Sequence, residues 1–167
     1  MTSQLVRATC VVMATHPNLE NHLRGELEWE FNQGLVDLRH VRSLVSSPRL
    51  VSVCVRAFSH PALAEAGDTF LDSRTRLADY PQKTMAISLT NYRLLEGTIE
   101  VVEEYSHNDS TLMKLQVWPF EPGELNEFAM AVAVALSYTP AELIAESRIS
   151  LAIDELVGKW GFFTDGF

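Results

Sequence analysis

Residues 5–14 read Leu-Val-Arg-Ala-Thr-Cys-Val-Val-Met-Ala, a short run rich in β-branched side chains that predicts a strand. Thr15-His16-Pro17 follows, with a hydroxyl to cap a helix and a proline for its first turn. Leu19, Leu23, Leu27 and Phe31 then recur every four residues, the apolar stripe of a helix that Gly34 ends. A second strand is expected over 35–45, a turn at Ser46-Ser47-Pro48, and a third strand over 50–58. Val51, Val53, Val55 and Ala57 share one face of that third strand. Ser59-His60-Pro61 opens another helical segment over 62–66, with a broken continuation towards 78. Asp68, Asp72, Arg74, Arg76 and Asp79 are too mixed in pattern to choose helix or loop for 67–82. A fourth strand is expected over 83–90.

The chain repeats itself here. Cys10-Val11 and His16-Pro17-Asn18-Leu19 align with Cys54-Val55 and His60-Pro61-Ala62-Leu63 at a constant offset of 44 residues. A unit of that length suits strand–helix–strand, and two of them give β-α-β-β-α-β. The expected fold class is therefore α+β, with a ferredoxin-like core over residues 1–92.

Residues 93–167 extend that core by a hairpin and two helices. The hairpin joins strands at 94–105 and 111–118 through the polar loop 106–110. A helix over 121–136 places Leu125, Phe128, Ala129, Val132 and Leu136 on one face. Thr139-Pro140-Ala141-Glu142 is a capping box with proline in the first position. The helix it starts buries Ala145, Ile149, Ala152, Ile153, Leu156 and Trp160, and ends near Gly158. The closing stretch 160–167 holds three phenylalanines, which need cover from their own domain or from another subunit. One domain is expected over 1–167, because no stretch has linker composition.

Composition adds location. Apolar residues make up 47% and charged residues 21%, the balance of a chain with a packed core. The start, Met1-Thr2-Ser3-Gln4, lacks the basic and apolar regions of a signal peptide. The most apolar stretch, 128–136, is well short of the roughly twenty residues of a membrane span. Cys10 and Cys54 sit in apolar strands and read as buried free thiols. These features together predict a cytoplasmic protein with no membrane association.

The net charge of −9 is unevenly spread. Residues 1–95 carry ten Lys/Arg and nine Asp/Glu, whereas 96–167 carry three and thirteen. An acidic half repels nucleic acid and attracts basic protein surfaces. The candidate binding residues are Glu96, Glu100, Glu103, Glu104, Glu121 and Glu124, with Tyr105, Trp118 and the Phe-rich end as aromatic anchors.

His16 and His60 are the candidate catalytic pair. In a ferredoxin-like sheet, both would stand at helix starts on the ends of adjacent central strands, beside Thr15 and Ser59. Backbone N–H groups there suit an anion, and two imidazoles supply acid and base for a phosphate-bearing substrate. Two-histidine phosphoesterases carry a hydroxyl residue two positions after each histidine, and neither His16 nor His60 has one. His22, Glu26 and Glu30 fall at helical spacing, but the His-Glu-x-x-His zinc arrangement is absent, so no metal is assigned. The sequence holds no Gly-rich phosphate loop, nucleophile elbow or dinucleotide fingerprint, and no cofactor is expected.

Three functions compete. The first is an acidic protein-binding or inhibitory module, of the kind found among toxin-immunity proteins and phage-encoded inhibitors, docking a basic protein partner. The second is an enzyme that uses His16 and His60. The third is a structural or assembly subunit whose Phe-rich end packs between the copies of a homodimer.

Overall fold

The computed structural model describes residues 51–78, 81–103, 106, 108–119, 121–138 and 140–158. Within them four strands form one mixed sheet, and the architecture is α+β. The strands are β1 (Val51–Arg56), β2 (Ala64–Glu65), β3 (Lys83–Ser88) and β4 (Leu112–Trp118), in the spatial order β1-β4-β3-β2. β4 runs antiparallel to β1 and parallel to β3, with Leu115 opposite Val53 on one side and Met85 on the other. This arrangement is neither the expected hairpin over 94–118 nor the ferredoxin-like order of two βαβ units.

The strand over 50–58 is present as β1 and that over 83–90 as β3, but β3 ends at Ser88. Ser88 is extended and its hydroxyl accepts from Asn91 N–H at 3.1 Å, capping the helix α2 (Leu89–Leu95). The expected strand over 94–105 is replaced by the end of α2, a turn and a short bridge. Val101 pairs with Val55, so this segment meets β1 on the edge opposite β4. β1 thus lies between the two segments that the hairpin would have joined. β1 and β3 also run antiparallel with β4 between them, whereas a βαβ unit over 50–90 requires them to be parallel. The first copy of the 44-residue repeat, with Cys10, lies outside the described residues.

The helical segment expected at 62–66 is a turn leading into β2. Backbone pairing with β3 explains the change: Ala64 stands opposite Ala86, Glu65 opposite Met85, and Ala66 N–H donates to Thr84 C=O at 3.1 Å. The helix begins later, as α1 (Gly67–Arg74). Gly67 has φ +49°, and a Cβ there would stand 3.0 Å from Thr84 Cγ2, so the start of α1 demands glycine twice over. Thr69, 6% exposed, then accepts Thr84 N–H at 2.8 Å and fastens α1 to β3.

The sheet buries residues on both faces. Val55, Ile87, Met113 and Leu115 form a buried cluster, closed over by Phe58, Leu63, Tyr92, Leu95 and Ile99. The alternate positions of β4, Leu112, Gln116 and Trp118, are buried too, and Trp118 Nε1–H donates to Gln116 Oε1 at 3.1 Å. α1 packs on β3 and contacts α3 (Glu127–Ser137) and α5 (Ser147–Gly158). α3 starts six residues later than its pattern suggested, because Asn126 caps it and a 3₁₀ turn (Pro122–Glu124) takes up the chain before. Ala129 to Ala135 are all at most 7% exposed, so alanine and valine let this helix be enclosed on every side.

The single helix expected from Pro140 is two, α4 (Pro140–Ala145) and α5, broken at Glu146. The break resets the helical phase: Ala145 is exposed, while Ile149, Ala152, Ile153 and Leu156 are buried as expected. Thr139, Trp160 and the Phe-rich end lie outside the described residues. Among the described residues no helix is long and apolar enough to cross a membrane.

Leu115 is wholly buried and paired on both sides, whereas Val51 on the same face is 54% exposed. Leu115→Ala should cost about 2–5 kcal/mol in urea unfolding, and Val51→Ala less than about 0.5 kcal/mol; equal losses would contradict the central place of β4.

Candidate functional site

The chain from α2 to the β1 edge carries a run of exposed acidic residues. Glu96 follows the last turn of α2, and Glu100, Val101 and Glu103 run beside β1. Arg56 N–H donates to Glu100 C=O at 2.9 Å and Val102 N–H to Cys54 C=O at 2.8 Å, which fixes the segment by its backbone. Its side chains stay outside: Glu96, Glu100 and Glu103 are exposed, as are Leu94 (77%) and Val101 (59%). The Arg56 guanidinium approaches Glu100 at 3.6 Å, both well exposed, a pair of small net value. Among the described residues Glu96 and Glu103 make no ion pair.

Asp109 lies next to this surface. The Thr111 hydroxyl donates to its carboxylate at 2.6 Å and Thr111 N–H at 2.9 Å, while Arg56 reaches Thr111 Oγ1 at 3.5 Å. The two Thr111 bonds, hydroxyl first, hold the Asp109 pKa below its ordinary value, with a smaller contribution from Arg56. A pKa lower in the folded chain stabilises it above the ordinary Asp range, and that contribution disappears as pH falls through the folded value.

Other expected site residues have structural duties. Trp118 is 1% exposed and belongs to the core, so it is no surface anchor. Glu121 accepts from Ser88 Oγ at 2.5 Å and from Asn91 Nδ2 at 2.6 Å, tying the 3₁₀ turn to the start of α2. Glu124 is exposed on that turn. Glu104, Tyr105 and His16 lie outside the described residues. His60 is half-buried in the turn after β1 and does not start a helix. Its Nδ1 accepts Ala62 N–H at 3.0 Å and its C=O accepts Leu63 N–H at 3.1 Å. The ring therefore shapes the turn into β2.

A second charged locus was not foreseen. Arg74, in the last turn of α1, stacks on the Phe70 ring at 3.7 Å. Its Nε donates to Glu127 Oε1, its Nη2 to Glu127 Oε2 at 3.3 Å and its Nη1 to Glu65 Oε2 at 3.0 Å. Glu127 foremost, with Glu65, raises the Arg74 pKa, while partial burial opposes it. Phe70 and Arg74 stand four apart, the spacing at which helix side chains meet, and that was the available signal. A cavity of about 210 Å³ adjoins this network, lined by Ala64, Glu65, Phe70, Arg74, Pro122 and Met130. Among the described residues no three His, Cys, Asp or Glu side chains are grouped to hold a metal ion.

No protein-family model, curated protein or solved structure matches this chain.

Carboxylate-detected NMR titration should place Asp109 below the ordinary value of about 3.9. Thr111→Val should move it upward by removing the stronger bond, and an unchanged value would contradict the assigned cause.

Proposed function

We propose that this chain is a protein-binding, inhibitory module of the cytoplasm that docks a basic protein partner through the acidic surface of its C-terminal portion. One observation supports this reading above the others. Exposed Glu96, Glu100 and Glu103 stand on the same short segment as exposed Leu94 and Val101. Apolar groups inside a charged surround are the composition of a docking surface: the apolar groups hold the partner and the charges speed encounter. The anchors in this reading are aliphatic, because Trp118 is in the core. Glu124 and the carboxylates near it extend the acidic field.

The test is affinity capture with the whole chain against a variant carrying Glu96→Lys, Glu100→Lys and Glu103→Lys, followed by association kinetics with the protein recovered. The wild type should retain a basic protein that the variant loses. Its association rate should fall about tenfold or more between low and physiological salt. Equal capture by both chains, or a rate indifferent to salt, would contradict the reading.

A further inference from the structure

The cavity beside Arg74 lies outside the docking segment and has its own chemistry. Its walls at Ala64, Phe70, Pro122 and Met130 are apolar, and its charged groups are Glu65 and Arg74. Arg74 is the only cation in the network, and it is already committed to two carboxylates. The wall at Pro122 belongs to the stretch 121–127, which carries Glu121, Glu124 and Glu127. Two carboxylates, Glu65 and Glu127, thus meet one guanidinium here, and the residual negative charge disfavours an anion.

The remaining acceptor decides between cations. Both Glu127 oxygens are occupied by Arg74. Glu65 Oε2 takes Ser73 Oγ at 2.8 Å and Arg74 Nη1 at 3.0 Å, while Glu65 Oε1 has no partner among the described residues. A guanidinium needs two coplanar acceptors for its fork, whereas an ammonium is satisfied as a point charge by one oxygen and water. The space of about 210 Å³ falls below the roughly 300–1,000 Å³ of drug-sized ligand sites. At about 30 Å³ of liquid volume per water it holds the equivalent of roughly seven, enough for a four-carbon chain and its charged end.

We infer that this cavity is a seat for an alkylammonium group, with the ammonium on Glu65 and the carbon chain against Phe70, Pro122 and Met130. Two sources share that chemistry: a lysine side chain of the basic partner, and a free aliphatic amine. The lysine source rests on the docking reading above; the seat itself does not.

The test is an amide NMR titration of the whole chain with n-butylammonium, using n-butanol and n-butylguanidinium as comparison probes. Butylammonium should shift the amides of Glu65, Gly123 and Met130, and the other two probes should bind at least several-fold more weakly. Glu65→Gln should weaken butylammonium about tenfold, the loss of one charge-assisted bond. Glu155→Gln, on the exposed face of α5, should change nothing. Absence of shifts at those amides, equal binding of butanol, or indifference to Glu65→Gln would overturn the seat. N-acetyl-lysine-N-methylamide binding more tightly than butylammonium would assign the seat to a peptide, and the reverse order would assign it to a free amine. Because no partner protein is used, failed capture by the docking surface leaves this result standing, and a silent cavity leaves docking standing.

Discussion

Strand β4 is the constraint on which the described structure depends. It hydrogen-bonds to β1 along one edge and to β3 along the other, in opposite senses. Five of its seven residues are buried and they lie on both faces, so most of Leu112–Trp118 answers to packing on one side or the other. The parallel β3·β4 pair cannot be made by a tight turn. The chain between them supplies α2, the turn at 96–99 and the bridge at Val101 before it returns at β4. The acidic segment is therefore part of a crossover. Its backbone is anchored at Cys54 and Arg56, and its acidic side chains are left to solvent because β1 lies at the rim of the sheet.

That geometry separates two kinds of charge. Glu65, Glu121 and Glu127 are bound by neighbours of the fold: Arg74 with Ser73, Ser88 with Asn91, and Arg74 again. Glu96 and Glu103 are not. An acidic composition alone treats all of these as one surface. The structure assigns part of the charge to holding helices α1, α2 and α3 in place and leaves Glu96, Glu100 and Glu103 exposed.

Much of the framework was legible in residue pattern. Alternating Val51, Val53 and Val55, the run 112–118, and the buried set Ile149, Ala152, Ile153 and Leu156 all announce their elements, because burial imposes a period on the sequence. Pairing order was not legible. The strand-like composition of 94–105 is satisfied by a single bridge to Val55, since Ser88 caps a helix immediately upstream and spends the intervening residues. Segment 62–66 carries a helix-start signature at Ser59-His60-Pro61, yet long-range pairing of Ala64 and Glu65 with β3 prevails over it. Trp118 looked like an anchor because exposure cannot be read from residue type. The Arg74 network joins residues 9 and 53 positions apart, a separation to which local pattern is blind.

The central claim is a two-sided β4 that holds a rigid frame, with the acidic crossover attached to it by few backbone bonds. Native-state amide hydrogen exchange tests this most directly. Leu115 and Gln116 amides should exchange only through global unfolding, with a free energy equal to that from denaturant titration. Thr98 and Ile99, whose N–H groups bond only to Leu95 C=O in the turn after α2, should exchange by local opening at much lower cost. Exchange of Leu115 and Gln116 at the same low cost as Ile99 would contradict the account.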